Sequence, residues 1–445
     1  MNTGNIILKN ADILTMNDGP VLKYGDLWIA DGKILRVKEN AKETSANEKI
    51  GRAAFAGTPV IEGPDRVFLA DAQVIDCTGC VVMPGLIDSH VHYDESYMGD
   101  FFLASGVTSV RNMRGFDGHA VWRDEILSGK RRGPYLYSSG PVYDGEDPTI
   151  PDNTNVIIRT EEDVEEAIRY TKGLGFLWMK TYPSIEPALY QYLMSRCREE
   201  KLPMCGHMTK RMDHKILADQ GYVCCEHTSS LPSDPEVIAY LAECGMWFCP
   251  THVVCETLPD YVWNGKQLKD LPHYEDLPSC VREKWEAENE VIIQNYRKLN
   301  VHPDFQTIID RGTAFLKHSD RVMAGTDCPY PGIIPGIAMP EELEKLVKVY
   351  DMTVYDALRA ATVNPAEHIG IAGEKGRILQ GMDADVIVLD GNPLEAIGNI
   401  RKIRFVFQGK QYWSNEMLQG FLKEAGRLKQ EEIEIITTRE GKPLF

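Results

Sequence analysis

Between Val81 and about residue 370 the chain repeats one pattern: a short apolar run, a turn, then an amphipathic segment. The apolar runs are VVMPGLIDSHVH (81–92), VTSVRNM (107–113), PYLYSSG (134–140), FLWMKTY (176–182), LPMCGH (202–207), YVCCEH (222–227), MWFCPTH (246–252) and RVMAGTD (321–327). Helix signals stand between them. Thr160 is placed as an N-cap before Val164, Ile168 and Thr171 at helical spacing, Pro187 sits at a first helical position, and Asp234-Pro235 opens a third helix. Strands alternating with helices argue for a parallel sheet, because a parallel crossover needs a connection of helical length. Eight such units over roughly 290 residues fit an α/β TIM (β/α)8 barrel. A doubly wound open sheet is the alternative, but no G-x-G-x-x-G follows any of the strands.

The ends of the chain read differently. NIILKNADILTM, DLWIADGKILRVKEN and AQVIDCTGC alternate apolar and polar residues around turns such as Asp31-Gly32, and residues 40–66 read as a longer polar loop. After a helix over Thr353–Thr362, GRILQGMDADVIVLDGNPL and IRFVFQGKQYW return to strand-like alternation. The expected organisation is a small β-sandwich domain assembled from 1–78 and 380–413, a barrel over 79–379, and a tail over 414–445 that starts helical and packs on the barrel or on a second subunit, or is solvated.

In a barrel of this kind the carboxyl ends of the strands form one face, on which active sites are built. Those ends carry His90 and His92, then Lys180, His207, His227 and Asp327. On an extended strand residues i and i+2 point the same way, so His90 and His92 can share an ion. A single such pair is weak, but five strand ends on one face each offering a potential ligand form a joint pattern. His252 ends the seventh run, and Tyr182 follows Lys180 by two. His119, His214, His273, His302, His318 and His368 fall in helices or loops off the pattern and read as structural or surface residues.

The remaining bounds are broad. A net charge of −18 argues against a nucleic-acid backbone or an anionic membrane as partner. No apolar run approaches the length of a membrane span and the N-terminus has no secretory pattern, so a cytoplasmic protein is expected. The 11 cysteines then read as reduced thiols, the Cys77-x-x-Cys80 pair included.

Several stretches (PGLIDSHVH, GVTSVRN, LWMKTY, GHM at 206–208, EHT at 226–228, AGTD at 324–327, ALRAATVNPAEHIGI and GRILQGMDADVIVLD) resemble the amidohydrolase superfamily of metal-dependent hydrolases, most closely its imidazolonepropionase-like and prolidase-like branch. That resemblance implies two divalent ions, with zinc suited to an imidazole-rich set. His90, His92 and Asp327 would bind one ion and His207 and His227 the other. Lys180, carboxylated by carbon dioxide, would bridge them. It implies a metal-bridged hydroxide that attacks a carbonyl carbon, with Asp327 as general base and then acid, and hydrolysis of a C–N bond in a small amide, dipeptide-like or cyclic amide substrate. The same centre can serve a phosphotriesterase or lactonase, and a metal-free scaffold is a further alternative. A homo-oligomer is implied as well.

The chain departs from its relatives where substrate is chosen. The loop after the third strand reads SSGPVYDGED, without the Gly-Gly-His of some dipeptidase members, and His207 is followed by Met208, Thr209, Lys210 and Arg211 rather than by a nearby Tyr. Lys210 and Arg211 could receive an anionic group, and Tyr182 and His252 are further candidate substrate contacts.

Overall fold

The computed structural model describes residues 4–19, 21–40, 72–148, 154–300 and 304–436. The loop expected over 40–66, His302 and the last nine residues of the tail lie wholly or almost wholly outside them. The chain forms two compact units, 1–85 with 371–416, and 86–370 with 417–445.

In the first unit the strands are β1 (Ile6–Ile13), β2 (Leu22–Ala30), β3 (Lys33–Lys38), β4 (Gln73–Asp76) and β5 (Val81–Pro84). The chain returns to this unit with β14 (Asp385–Leu389), β15 (Ile403–Gln408) and β16 (Gln411–Ser414). One hydrogen-bonded sheet runs β16-β15-β14-β5-β1-β2-β3, with β4 paired to β1. The two ends of the chain meet where β14 lies antiparallel to β5, Val388 opposite Val82 and Ile387 opposite Met83. Ile6, Leu8, Ile29, Val82, Val386, Val388 and Phe407 share its core. Val81–His92 is therefore not one strand. Its first half, through Pro84, belongs to this sheet, and Gly85 is the last residue of the unit's first segment.

The second unit holds seven parallel strands: β6 (Leu86–Val91), β7 (Val107–Asn112), β8 (Tyr135–Asp144), β10 (Trp178–Thr181), β11 (Met204–Gly206), β12 (Tyr222–Glu226) and β13 (Trp247–Cys249), with the short β9 (Val156–Ile157) beside β8. The eighth expected strand, 321–327, is extended but not laddered. It closes the ring by single backbone bonds: Met323 N–H donates to Phe248 O at 2.9 Å, Ser89 N–H to Ala324 O at 2.9 Å, and Asp327 N–H to His90 O at 2.7 Å. Gly325 permits this close approach, since a Cβ there would lie 2.5 Å from Cys249 Sγ and 2.8 Å from His90 Cβ.

The two-residue period of the strands sorts the interior from the helix layer. Trp178, Cys205, Cys224, Trp247, Cys249 and Met323 form one buried cluster with Met113. Their neighbours Met179, Cys225 and Phe248 turn the other way, onto helix residues such as Ile168, Leu193 and Leu241. The helix starts follow the sequence signals: Thr160 and Asp163 close a capping box, Pro187 occupies the first turn, and Asp234 accepts from Glu236 N–H. The tail is docked on this unit. Leu418 and Leu422 are buried, Ile436 N–H donates to Asp94 O at 2.7 Å, and Arg131 pairs with Glu434 at 2.7 Å.

Candidate metal centre

The six residues expected as ligands come together at the carboxyl ends of the barrel strands. His90 leaves β6 on the interior side and His92 follows it, both turned to the end of the eighth segment. His90 Nε2 lies 3.4 Å and His92 Nε2 3.2 Å from Asp327 Oδ1. Asp327 adopts a φ of +61°, which turns its carboxylate back across the mouth after the extended run. Lys180 Nζ lies 3.3 Å from His90 Nε2. The ring of His227 is 4.6 Å from that of His90 and 4.4 Å from that of His207.

The electrostatics suit neutral ligands around one anion. Burial lowers the pKa of all four imidazoles, keeping them unprotonated. It also lowers the pKa of Lys180, which is fully buried. Burial works against a charge on Asp327, but His90, His227 and His92 around it outweigh that and hold the carboxyl well below the ordinary range.

The donor set fits divalent ions. His90, His92 and Asp327 each offer a ligand atom within 4.8 Å of the others. His207 Nδ1 is buried with no hydrogen-bond partner among the described residues, a lone pair or N–H with no protein group to satisfy it. His227 Nδ1 is engaged by Thr251 Oγ1 at 2.7 Å, which leaves Nε2 for a ligand.

Supporting residues that the ligand pattern did not single out surround the site. Asp88 is fully buried and accepts from Thr326 Oγ1 at 2.7 Å, Thr326 N–H at 3.0 Å and His90 N–H at 3.3 Å, tying β6 to the eighth segment. Burial raises its carboxyl to about 7, against those hydrogen bonds. Glu226 accepts from Arg111 at 2.8 Å, and its other oxygen lies 2.8 Å from His90 Nδ1. Burial opposes its charge, and Arg111 more than compensates, holding Glu226 well below the usual carboxylate range. A charged residue inside an otherwise apolar strand was the available signal for both Arg111 and Glu226.

Of the candidate substrate contacts, Tyr182 packs edge-on against His207 at 4.4 Å. Lys210 and Arg211 are exposed and line a cavity of about 450 Å³ together with His207, Ser184, Ser229 and Ser230. Arg211 also donates to Ser184 O and pairs with Glu186. His252 is not brought to the ligand cluster. It begins the helix His252–Trp263, with Nδ1 bonded to Tyr350 Oη at 2.9 Å and Nε2 to Glu256 at 2.8 Å. Tyr143, expected in the loop after the third strand, lies within β8, because that strand runs on to Asp144; it is buried on the helix side and bonds Thr171. His119 and His368 are structural: the first bonds Tyr93 O, the second stacks on Trp178.

A profile of the Amidohydrolase family matches residues 81–412. The chain belongs to the amidohydrolase family. An imidazolonepropionase of Thermoplasma acidophilum is 23% identical over 73% of this chain and 79% of its own length. A D-hydantoinase of Geobacillus stearothermophilus is 23% identical over 86% of this chain and 84% of its own. The crystal structure of a putative prolidase from Bifidobacterium longum superposes with a TM-score of 0.68 at 21% identity, covering 96% of this chain and all of that one. The last of these speaks to the fold alone. Among the described residues no helix is long and apolar enough to cross a membrane.

Proposed function

We propose that this amidohydrolase cleaves a C–N bond in a small amide, dipeptide-like or cyclic amide substrate at a binuclear metal centre. The observation that carries the proposal is the convergence of four neutral imidazoles, the Asp327 carboxylate and the buried Lys180 amine in one cluster. The names of the imidazolonepropionase and hydantoinase relatives favour amides and cyclic amides as the substrate class.

In this reading His90, His92 and Asp327 would hold one ion and His207 and His227 the second, and Lys180, once carboxylated, would supply an anionic ligand to the centre. Zinc suits the imidazole donors. Such a pair would supply Lewis acidity and a water acidic enough to ionise near neutral pH. The protein does the rest. Burial lowers the pKa of the Lys180 amine and so favours its neutral form, the form that reacts with carbon dioxide. Asp327, ionised and aimed into the cluster, takes the proton of the attacking water and returns it to the leaving nitrogen. Tyr182 shapes the wall beside His207, and Lys210 and Arg211 offer positive charge to an anionic substrate group in the adjoining cavity.

The test is metal content per chain, measured by emission spectroscopy on protein purified with bicarbonate, for wild type and Lys180→Ala. The expected result is about two ions in wild type and one or fewer in the variant, with loss of amide hydrolysis. Equal metal content in both would refute the carbamate bridge. A parallel screen of amides, lactones and aryl phosphotriesters reads the bond specificity, and turnover confined to esters of either kind would overturn the amide assignment.

A further inference from the structure

The four candidate imidazole ligands are not supported alike. His92 and His207 have no hydrogen-bond partner on Nδ1 among the described residues, and His227 has the hydroxyl of Thr251. His90 has a carboxylate. Its Nδ1 lies 2.8 Å from Glu226 Oε2, with both side chains fully buried. The other oxygen, Oε1, takes a hydrogen bond from the Arg111 guanidinium at 2.8 Å. Arg111 is itself fully buried, donates a second bond to Ser89 O at 3.0 Å and lies 4.9 Å over the Trp178 ring. Strands β7, β12 and β6 each contribute one member, so the arrangement is set by the barrel and not by a loop.

A carboxylate paired with a guanidinium can only accept hydrogen bonds. The His90 nitrogen facing Glu226 must therefore carry the hydrogen. Its opposite nitrogen, Nε2, is then a lone pair, and this is the atom that faces Lys180 and Asp327. We infer that Arg111 and Glu226 form a buried positioning relay that fixes the tautomer and orientation of His90, presetting one ligand of the centre before any ion is bound. The relay rests on the metal-centre reading for its purpose, though not for its geometry. Neither residue touches substrate. They act through His90, as outer-shell carboxylates do for metal-binding histidines.

The experiment uses the full chain, metal-free, with 15N-labelled histidine. Long-range proton–nitrogen correlation reads the tautomer of each imidazole, and His90 is assigned by its loss in His90→Asn. The expected wild-type result is His90 in the Nδ1–H form between pH 6 and 8. In Glu226→Gln, Arg111 holds the amide oxygen and turns the amide NH2 toward Nδ1, so His90 switches to the Nε2–H form. Zinc affinity, measured by competition with a chelator, falls by about 10- to 100-fold. A wild-type His90 in the Nε2–H form overturns the relay without any variant, as does a folded Glu226→Gln chain with unchanged tautomer and affinity. A wild-type chain that shows the Nδ1–H form but binds no zinc supports the relay and overturns the metal-centre reading instead.

Discussion

Replacing Gly206 by alanine tests the packing that holds His207 and Lys180 together. Gly206 is the last residue of β11, immediately before His207, and its φ is +127°, a region L-residues rarely enter. A Cβ there would lie 2.3 Å from Thr181 O, 3.0 Å from Thr181 N and 3.2 Å from Lys180 Cδ. The closest atoms are backbone of the neighbouring strand, which cannot swing aside as a flexible side chain could. The cost has two parts: about 1 to 3 kcal/mol for the backbone conformation, and about 1 to 3 kcal/mol for overpacking. Together they predict a loss of about 2 to 6 kcal/mol. Gly221 supplies the control. Its φ is +101° but nothing lies within 4 Å of a Cβ there, so Gly221→Ala carries the first part alone. Urea unfolding followed by tryptophan fluorescence, with Trp178 and Trp247 inside the barrel, gives the two values. Zinc binding to each folded variant adds a site readout. Gly206→Ala is expected to lose more stability than Gly221→Ala and to bind zinc more weakly, because β11 must move away from β10 and carry His207 with it. Equal losses in the two variants, with zinc affinity intact in both, would refute the claim that contact between β10 and β11 sets the ligand geometry.

Arg111→Met strands the Glu226 carboxylate in the barrel interior, and removing one partner of a buried ion pair costs about 3 to 5 kcal/mol. Chemical denaturation checks this, and a cost below about 1 kcal/mol would mean that Glu226 finds another partner or water. Glu342 gives a pH signature. It accepts from the N–H groups of His252 and Val253, yet burial raises its carboxyl from 4.5 to about 8 against those bonds. The folded state therefore holds the proton more tightly than the unfolded chain. Its contribution to stability is fully present below about pH 4.5 and is lost as the pH rises through about 8. The stability difference between wild type and Glu342→Gln, measured by urea titration, is expected to shift against wild type from pH 5 to 8. A difference constant over that window would show that Glu342 is ionised throughout.

What the sequence makes legible follows from how far each signal reaches. The candidate ligand cluster is readable because strand ends share a face: once the apolar runs are taken as barrel strands, His90, Lys180, His207, His227 and Asp327 must gather at one mouth, and they do. Local chemistry made the helix starts at Thr160, Pro187 and Asp234 equally plain. The split at Gly85 was not legible, because Val81–Pro84 and Leu86–Val91 both read as strand across a single glycine and only pairing with β14, some 300 residues later, assigns the first of them to another sheet. The irregular eighth segment was hidden for a similar reason: RVMAGTD has strand composition, but the room it needs is set by Cys249 and His90 across the barrel. His252 shows the limit of reasoning from position alone. It ends an apolar run as the candidate ligand histidines do, yet it starts a helix, and Tyr350 and Glu256, distant and near in sequence, take up both of its nitrogens. Arg111 and Glu226 lie between these cases. A charge buried in a strand must find its opposite, so each implies a partner, but the sequence does not say that the partner is the other or that His90 completes the set. Pairing across the barrel is the information a one-dimensional reading lacks. The relay behind His90 is where it bears most directly on function, since it determines which imidazole nitrogen faces the site.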